Sequence, residues 1–304
     1  MELKQLVQEL KQRKLLQTTT TPDVIKAEIV RQVIYRRADF ISQGLKLVGV
    51  RQFSGLDVKY QYPSEMTMEY PVAEGARGGE SKINWTTFYM EMQKAEGRFL
   101  ITDEATMRQL ENIQYETGVR RLSEALAKAK DDNIISTLHD YAHTTSVAAS
   151  ASWPAAAATS IVKDIKNAIN LAVQATGVQP DDIKNMALVL PIRAWTPLLS
   201  LTEVENIRIQ LGDYIQRSYG LSLHPTKNST LVNGNKALLM IKGPDTAIHG
   251  VAAAHPKVPL VEVKRITGVG LEYTVRQFFA TRVIPDSSTT STSQRIIKIS
   301  GVTA

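Results

Sequence analysis

Two histidines stand four residues apart in His139-Asp140-Tyr141-Ala142-His143, and this is where the 304-residue sequence comes nearest to a known chemistry. On a helix, positions i and i+4 share a face. Two imidazoles there can hold one zinc ion, with an acid beside them acting as base on a bound water. Here the acid is Asp140, whose arm is shorter than that of glutamate, and no third ligand stands out. The five residues also close a helical pattern, where histidines have an ordinary place at the negative end of the helix dipole. A metal-dependent hydrolase using His139 and His143 is therefore a remote alternative, and the expectation is that no metal is held.

Other chemistries lack their residues. There is no cysteine, so thiol catalysis, disulfides and cysteine-ligated zinc are excluded. Residues 74–79, EGARGG, lack the Lys-Ser/Thr that completes a phosphate-binding loop. Gly268-Val269-Gly270 lacks the third glycine of a dinucleotide fingerprint and runs into a strand pattern. No G-x-S-x-G elbow occurs. The expectation is a chain with no catalytic residue and no cofactor. No apolar run reaches the ~18 residues of a membrane span, and the N-terminus reads as neither a signal nor a transit peptide. The formal charge of +6 is modest for a nucleic-acid binder, but part of the excess lies in the first fifty residues. Lys11, Arg13, Lys14, Arg31, Arg36 and Arg37 are the candidates for a phosphate-facing surface; the plain alternative is a solvated helix face.

The element that everything else must position itself around is residues 103–141. Met107, Leu110, Ile113, Val119, Leu122, Leu126, Ile134 or Ile135, and Leu138 recur at helical spacing. Glu104/Arg108, Glu116/Arg120 and Glu124/Lys128 are acid-first i,i+4 pairs, and Thr102 or Asp103 can cap the start. Gly118 is the weak point, where the helix would kink or divide. Unbroken, it would run ~58 Å, longer than the roughly 50 Å width of a globule of this chain length. Either the subunit is flat and elongated, a shape suited to tiling a surface, or the helix is exposed along much of its length.

Before it, residues 2–16 predict an amphipathic helix, and residues 23–40 a second; together they read as an arm and not a core. A β-ribbon follows. Leu56, Val58, Tyr60 and Tyr62 alternate with Asp57, Lys59 and Gln61, Met66, Met68, Tyr70 and Val72 resume the alternation, and the glycine-rich tip spans 73–81. The return strand through Ile83, Trp85, Phe88, Met90 and Met92 shifts phase between Trp85 and Phe88, which predicts a bulge. Ala95-Glu96-Gly97 reads as a turn into a short strand over 98–102. A two-stranded ribbon of this length is not stable alone, and its edges invite aggregation unless a neighbouring subunit covers them. The ribbon methionines are expected against that neighbour.

After the helix, residues 144–159 read as a small-residue linker. An α/β region then runs to about 265. It comprises a Ser160-capped helix over 161–176, a buried strand at 186–190, a short helix with Trp195, Leu198 and Leu199, a helix over 203–219 ended by Gly220, strands about Asn233-Gly234, and a strand at 258–263. Long alternation returns from Leu271 to Val283, and 295–299 gives a last strand. The terminal strands must pair near the base of the long helix, which makes the α/β region an insertion.

This order, with the segments AEGARGGES, FLITDEAT, AKAKDDNIISTL, MALVLPIRAWTPLL and EYTVRQFFATRVIPD, resembles the HK97-fold major capsid proteins of tailed phages and related archaeal viruses over roughly residues 50–302. The resemblance implies an α+β, HK97-like capsid fold with an N-terminal arm (1–50), an extended E-loop β-ribbon and the strand after it (51–102), a long spine helix with the peripheral sheet (103–145), an inserted α/β axial domain (146–265) and peripheral return strands (266–304). It implies that the E-loop tip, with Glu74, Gly75, Arg77, Gly78, Gly79, Glu80 and Lys82, makes inter-subunit contacts. Some family members cross-link an E-loop lysine to a neighbour, and Lys82 is the lysine near this tip. The implied partners are further copies of the chain in hexamers and pentamers, packaged DNA held by non-specific contact, and scaffold, portal or decoration proteins, with no membrane. The implied location is the virion, assembled in the host cytoplasm. An encapsulin-type shell around protein cargo, with the 2–16 helix facing inward, is the alternative within the fold.

Overall fold

The computed structural model describes residues 22–63, 85–174, 182, 184–200, 203–204, 207–253, 260–285 and 292–303. The predicted 2–16 helix and the ribbon tip lie outside the described residues. Helix α1 is Pro22–Ile41. The expectation of an arm apart from the core is corrected here. Val30, Ile34 and Ala38, four residues apart, are fully buried against the long helix and the sheet beneath it. A helix with one apolar face needs a partner, and this one finds it within its own subunit.

A 3-10 turn at Gly44–Lys46 leads to β1 (Val48–Phe53). The ribbon strands are β2 (Asp57–Pro63) and β3 (Trp85–Glu91). Their pairing runs without interruption from Asp57↔Glu91 to Pro63↔Trp85, so the expected bulge is absent. The phase shift has a simpler cause. Phe88, Met90 and Met92 face the chain's own sheet, whereas Trp85 and Tyr89 face away. Next, β4 runs from Gln93 to Thr102, so the expected turn at 95–97 is strand interior.

The predicted long helix divides at Gln109, which has φ 58°, and not at Gly118. The short α2 is Asp103–Met107, capped by Thr102 Oγ1, which accepts from Ala105 N at 3.2 Å. The 30-residue α3 is Glu111–Asp140. Gly118 has another role in it. A Cβ there would sit 2.4 Å from Phe99 Cδ2, so its bare backbone lets the helix lie directly on β4. Gly97 of β4 does the same from the other side, beneath Leu122.

The remaining elements are β5 (Ser146–Ala148), a 3-10 turn (Trp153–Ala155), α4 (Ala158–Val173), β6 (Met186–Pro191), α5 (Ile192–Ser200), β7 (Glu203–Val204), β8 (Ile207–Arg208), α6 (Leu211–Tyr219), β9 (Ser222–Thr226), α7 (Ser229–Asn233), β10 (Lys236–Ile241), β11 (Gly243–Ala252), β12 (Val261–Ile266), β13 (Gly270–Val283) and β14 (Ile296–Ser300). Three expectations change. The stretch 144–159 is not a loose linker: β5 pairs with β14, and Trp153 is fully buried with its Nε1 donating to Asp164 Oδ2 at 3.1 Å. The predicted helix over 203–219 begins with the antiparallel strand pair β7–β8 and becomes helical only at Leu211; Gly220, at φ 66°, ends it in the left-handed region. The expected strand before Asn233-Gly234 is the short helix α7, capped by Asn228.

Two sheets organise the chain. In the first, β13 pairs with β4 along one edge from Gly270↔Thr102 to Phe279↔Gln93. Its other edge is shared by β12 and then β11, which in turn carries β1. α1 and α3 cover one face of this sheet through Ile101, Val119, Leu126, Tyr273, Val275 and Phe279. The second sheet has the order β5-β14-β10-β6-β9. The continuous apolar run of β6 is buried on both faces: Met186, Leu188 and Leu190 meet α4, α5 and α6, while Ala187 and Val189 meet the end of α3 at Ile134, Ile135 and Leu138. The terminal strands therefore divide. β13 completes the sheet under α3, whereas β14 joins the second sheet, with Ile296 still packed near the base of the helix. β11 and β12, expected within the inserted region, belong to the first sheet.

Candidate assembly surfaces

The histidine pair does not form the geometry a zinc site needs. α3 ends at Asp140, and Tyr141 caps it, so His143 is already off the helix. His143 N donates to Ile296 O at 2.9 Å, and His143 Nδ1 accepts from Thr145 N at 3.1 Å. His139 lies 3.0 Å from Asp140 Oδ1 through Nδ1 and 3.2 Å from Lys236 Nζ through Nε2. Lysine only donates, so Nε2 accepts and Nδ1 carries the proton. His139 thus ties the end of α3 to β10. Among the described residues no group of three or more His, Cys, Asp or Glu side chains is placed to hold a metal. A shallow cleft between β1 and the β10–β11 junction sets Lys46, Lys242 and Arg295 beside Asp182 and Asp245, so its charges nearly cancel.

What the chain does present are apolar and charged surfaces. On the ribbon, Val58, Met90 and Met92 pack on Ala280, with Phe53, Ala252 and Phe278 around them. Met90 and Met92, expected against a partner, are buried within their own subunit because strand alternation turns them to the sheet. Met66, Met68 and the tip residues Glu74, Gly75, Arg77, Gly78, Gly79, Glu80 and Lys82 lie outside the described residues. The outward face carries Trp85 (58% exposed) and Tyr89 (71%), with the Lys59 ammonium 5.9 Å from the Tyr89 ring centre.

A second apolar surface forms where α2 turns into α3. Met107 (84% exposed), Leu110 and Ile113 (63%) belong to the apolar repeat at helical spacing, and the break at Gln109 leaves them exposed. On α1, Arg36 and Arg37 are exposed and Arg31 is half-buried; Lys11, Arg13 and Lys14 lie outside the described residues.

The face of the first sheet opposite α3 carries a charge ladder across three strands. Glu96 accepts from Arg98 at 2.5 Å, Arg276 at 2.9 Å and Lys94 at 3.1 Å. Arg276 reaches on to Glu262 at 3.2 Å and Arg98 to Glu272 at 3.7 Å. Hydrogen bonds from Arg98, then Arg276 and Lys94, hold the Glu96 carboxyl down to about 2. Sequence reasoning missed this ladder because it took 95–97 for a turn; the signal was Lys94, Glu96 and Arg98 at period two, a strand face.

The architecture is an α+β fold. No protein-family profile matches the sequence, and no curated protein does. Solved structures do. The chain is similar to the virus-like particle from Pyrococcus furiosus at 13% identity and TM-score 0.59, covering 89% of this chain and 97% of that one. It is similar to the capsid of Myoviridae phage XM1 at 12% identity and TM-score 0.59, covering 87% and 92%. It is also similar to the capsid of a native GTA particle at 9% identity and TM-score 0.56, covering 88% and 91%. The fold they share is of the HK97 capsid type, and this chain has it.

Proposed function

We propose that this chain is a major capsid protein that self-assembles into a closed icosahedral shell around double-stranded DNA. The observation that carries the reading is the reach of the fold match: it takes in nearly the whole of this chain and nearly the whole of a particle-forming one. The surfaces agree with it. A ribbon with an aromatic outer face and a projecting apolar corner at Met107 and Ile113 are unfavourable on an isolated subunit, and burial by neighbouring copies removes both costs. Each contact can be weak, because a shell makes many at once.

In this reading the peripheral domain is built on α3 and the first sheet, which includes β11 and β12, the axial domain on the second sheet, which includes β14, with α4, α5 and α6, and the tip 73–82 overlaps the next subunit. Lys11, Arg13, Lys14, Arg31, Arg36 and Arg37 face the packaged nucleic acid, and the shell is assembled in the host cytoplasm, with scaffold, portal or decoration proteins as further partners. Among the described residues no helix is long and apolar enough to cross a membrane.

The test is electron microscopy of the purified chain together with its light-scattering mass. Closed shells, or hexamers and pentamers, are the expected result. A monomer or dimer that persists across salt and protein concentration overturns the proposal. Native particles are expected to hold nuclease-protected DNA; protein cargo without DNA would move the reading to an encapsulin-type compartment.

A further inference from the structure

One junction of the chain, Asp39–Leu47, joins α1 to β1 and is held on the middle of α3 by two carboxylates. Asp39 Oδ1 accepts from Lys130 Nζ at 2.5 Å. Asp131 Oδ1 accepts from Ser42 Oγ at 2.5 Å and from Gly44 N at 2.7 Å, and its Oδ2 accepts from Gln43 N at 3.3 Å. Lys130 is buried along its whole side chain, at 1% exposure, whereas Asp39 is half in water.

Two histidines lie beside the elements this junction connects: His249 pairs with Val50 of β1, and His224 meets Gln43 of the junction itself. His249, on β11 beneath α3, is completely buried. Its Nδ1 lies 2.8 Å from Thr281 Oγ1, whose own proton goes to Asn133 Oδ1 at 2.7 Å. The threonine oxygen therefore accepts from the imidazole, and the proton sits on Nδ1. His249 Nε2 is left buried without a partner. His224, on β9, is the second; its Nδ1 lies 3.4 Å from Gln43 Oε1 and its Nε2 3.2 Å from Ser222 Oγ. Gln43 Oε1 also accepts from Lys46 Nζ at 3.3 Å. The charges bearing on the two rings are cationic: Lys130 of α3 on His249, and Lys242 and Lys46 on His224.

We propose that this junction is an acid-released latch: proton uptake by His249 and His224 sets new cations beside Lys130, Lys46 and Lys242 and frees residues 39–47 from α3, while the second sheet keeps its fold. A proton on His249 Nε2 would create a buried N–H with no acceptor and a second buried cation next to an ammonium whose one carboxylate is already engaged. The carboxylates facing this junction are those of Asp39 and Asp131. The core between the second sheet and α4, α5 and α6 contains no histidine among its described residues.

Burial first, and the neighbouring lysines second, push His249 down to about 3 and His224 down to about 4. Both lie below the ordinary imidazole value of 6.5, so each histidine favours the closed junction above pH 6.5. That contribution fades as the pH falls toward the folded value. Each pH unit in that window costs about tenfold in the closing constant per histidine, hence about a hundredfold per histidine at pH 4.5.

The experiment is hydrogen–deuterium exchange of the full chain from pH 7 to 4.5, corrected for intrinsic exchange. Peptides over 34–47 and 126–138 are expected to lose protection by about a hundredfold or more relative to peptides over 186–190 and 237–241. In His249→Gln, which cannot take up the proton, the loss is expected to be about tenfold smaller per pH unit. Equal loss everywhere, no loss, or an unchanged profile in His249→Gln overturns the proposal. If that variant does not fold, His224→Gln serves instead, and an unchanged profile there overturns the proposal equally. The outcome does not depend on what the subunit assembles into.

Discussion

Replacing Gly118 by alanine sets two effects of known sign against each other. In an exposed helix interior, Gly→Ala stabilises by about 1 kcal/mol. Here the new Cβ would meet Phe99 at 2.4 Å from Cδ2, 2.7 Å from Cγ and 2.9 Å from Cε2. Ordinary carbon contacts are ~3.5–4.0 Å, so the ring or the helix must retreat by about 1 Å. The ring is not free to do so. It is stacked on Tyr273, with centroids 4.8 Å apart and planes 2° from parallel, and it meets Tyr115 edge-on at 6.3 Å. Overpacking of this kind costs ~1–3 kcal/mol, and losing an aromatic pair ~0.5–1.5 kcal/mol. The net expectation is a loss of about 1–2 kcal/mol. Equilibrium urea unfolding of the dissociated subunit measures it as a lower midpoint at unchanged slope. The same substitution made in a Phe99→Ala background removes the obstacle, so there it should raise the midpoint by up to about 1 kcal/mol. If Gly118→Ala stabilises the protein with Phe99 present, the close approach of α3 to β4 is wrong, and Gly118 is the simple weak point of a helix that its sequence suggests.

Four further variants probe other parts. Glu96→Gln should abolish a titration near pH 2, read by carboxyl NMR. Because the folded carboxyl lies below the ordinary 4.5, its contribution is present above pH 4.5 and lost as pH falls toward 2, so variant and parent should converge in stability in strong acid. Because Lys94 and Arg98 are exposed, their part of the ladder should also weaken in high salt. Trp153→Phe removes one of the donors to the buried Asp164, leaving Ser150 N and Oγ at 3.0 and 2.6 Å; a loss of about 1.5–3 kcal/mol is expected by urea unfolding. Trp85→Asp with Tyr89→Asp should leave the subunit's unfolding midpoint within about 0.5 kcal/mol while shifting light-scattering mass toward unassembled subunits; unchanged assembly would remove the ribbon face from the contact. Charge reversal of Arg36 and Arg37 should reduce DNA retention in particles without preventing shell formation, and normal retention would argue against a DNA-facing role for α1.

Much of the fold was legible before any coordinates. The helix from Pro22, the fourteen-residue strand Gly270–Val283 and the body of α3 follow from periodicity, because a burying face repeats every 3.6 or every two residues whatever it is buried against, and the strand Met186–Pro191 follows from a short continuous apolar run ended by proline. The order of these elements was enough to suggest the capsid fold at a sequence similarity that no family profile detects. The absence of cysteine and of phosphate or nucleophile motifs was equally a property of the chain alone.

What the sequence could not decide was which partner each face meets. Gly118 and Gly97 look like helix and turn breakers, and only the contact between α3 and β4 shows them as the places where two backbones come close. Met90 and Trp85 alternate on one strand, yet pairing and sheet position decide that the methionine is core and the tryptophan surface. His139 and His143 have helical spacing in sequence, and the helix ends between them. The links Asp39–Lys130, Asn133–Thr281–His249 and Gln43–His224 join residues 91, 148 and 181 positions apart at their longest spans. Local propensity determines elements because it acts within a few residues. Pairing, burial and charge environment arise only when distant segments exclude water from one another, and those decided the latch, the ladder and the outward faces.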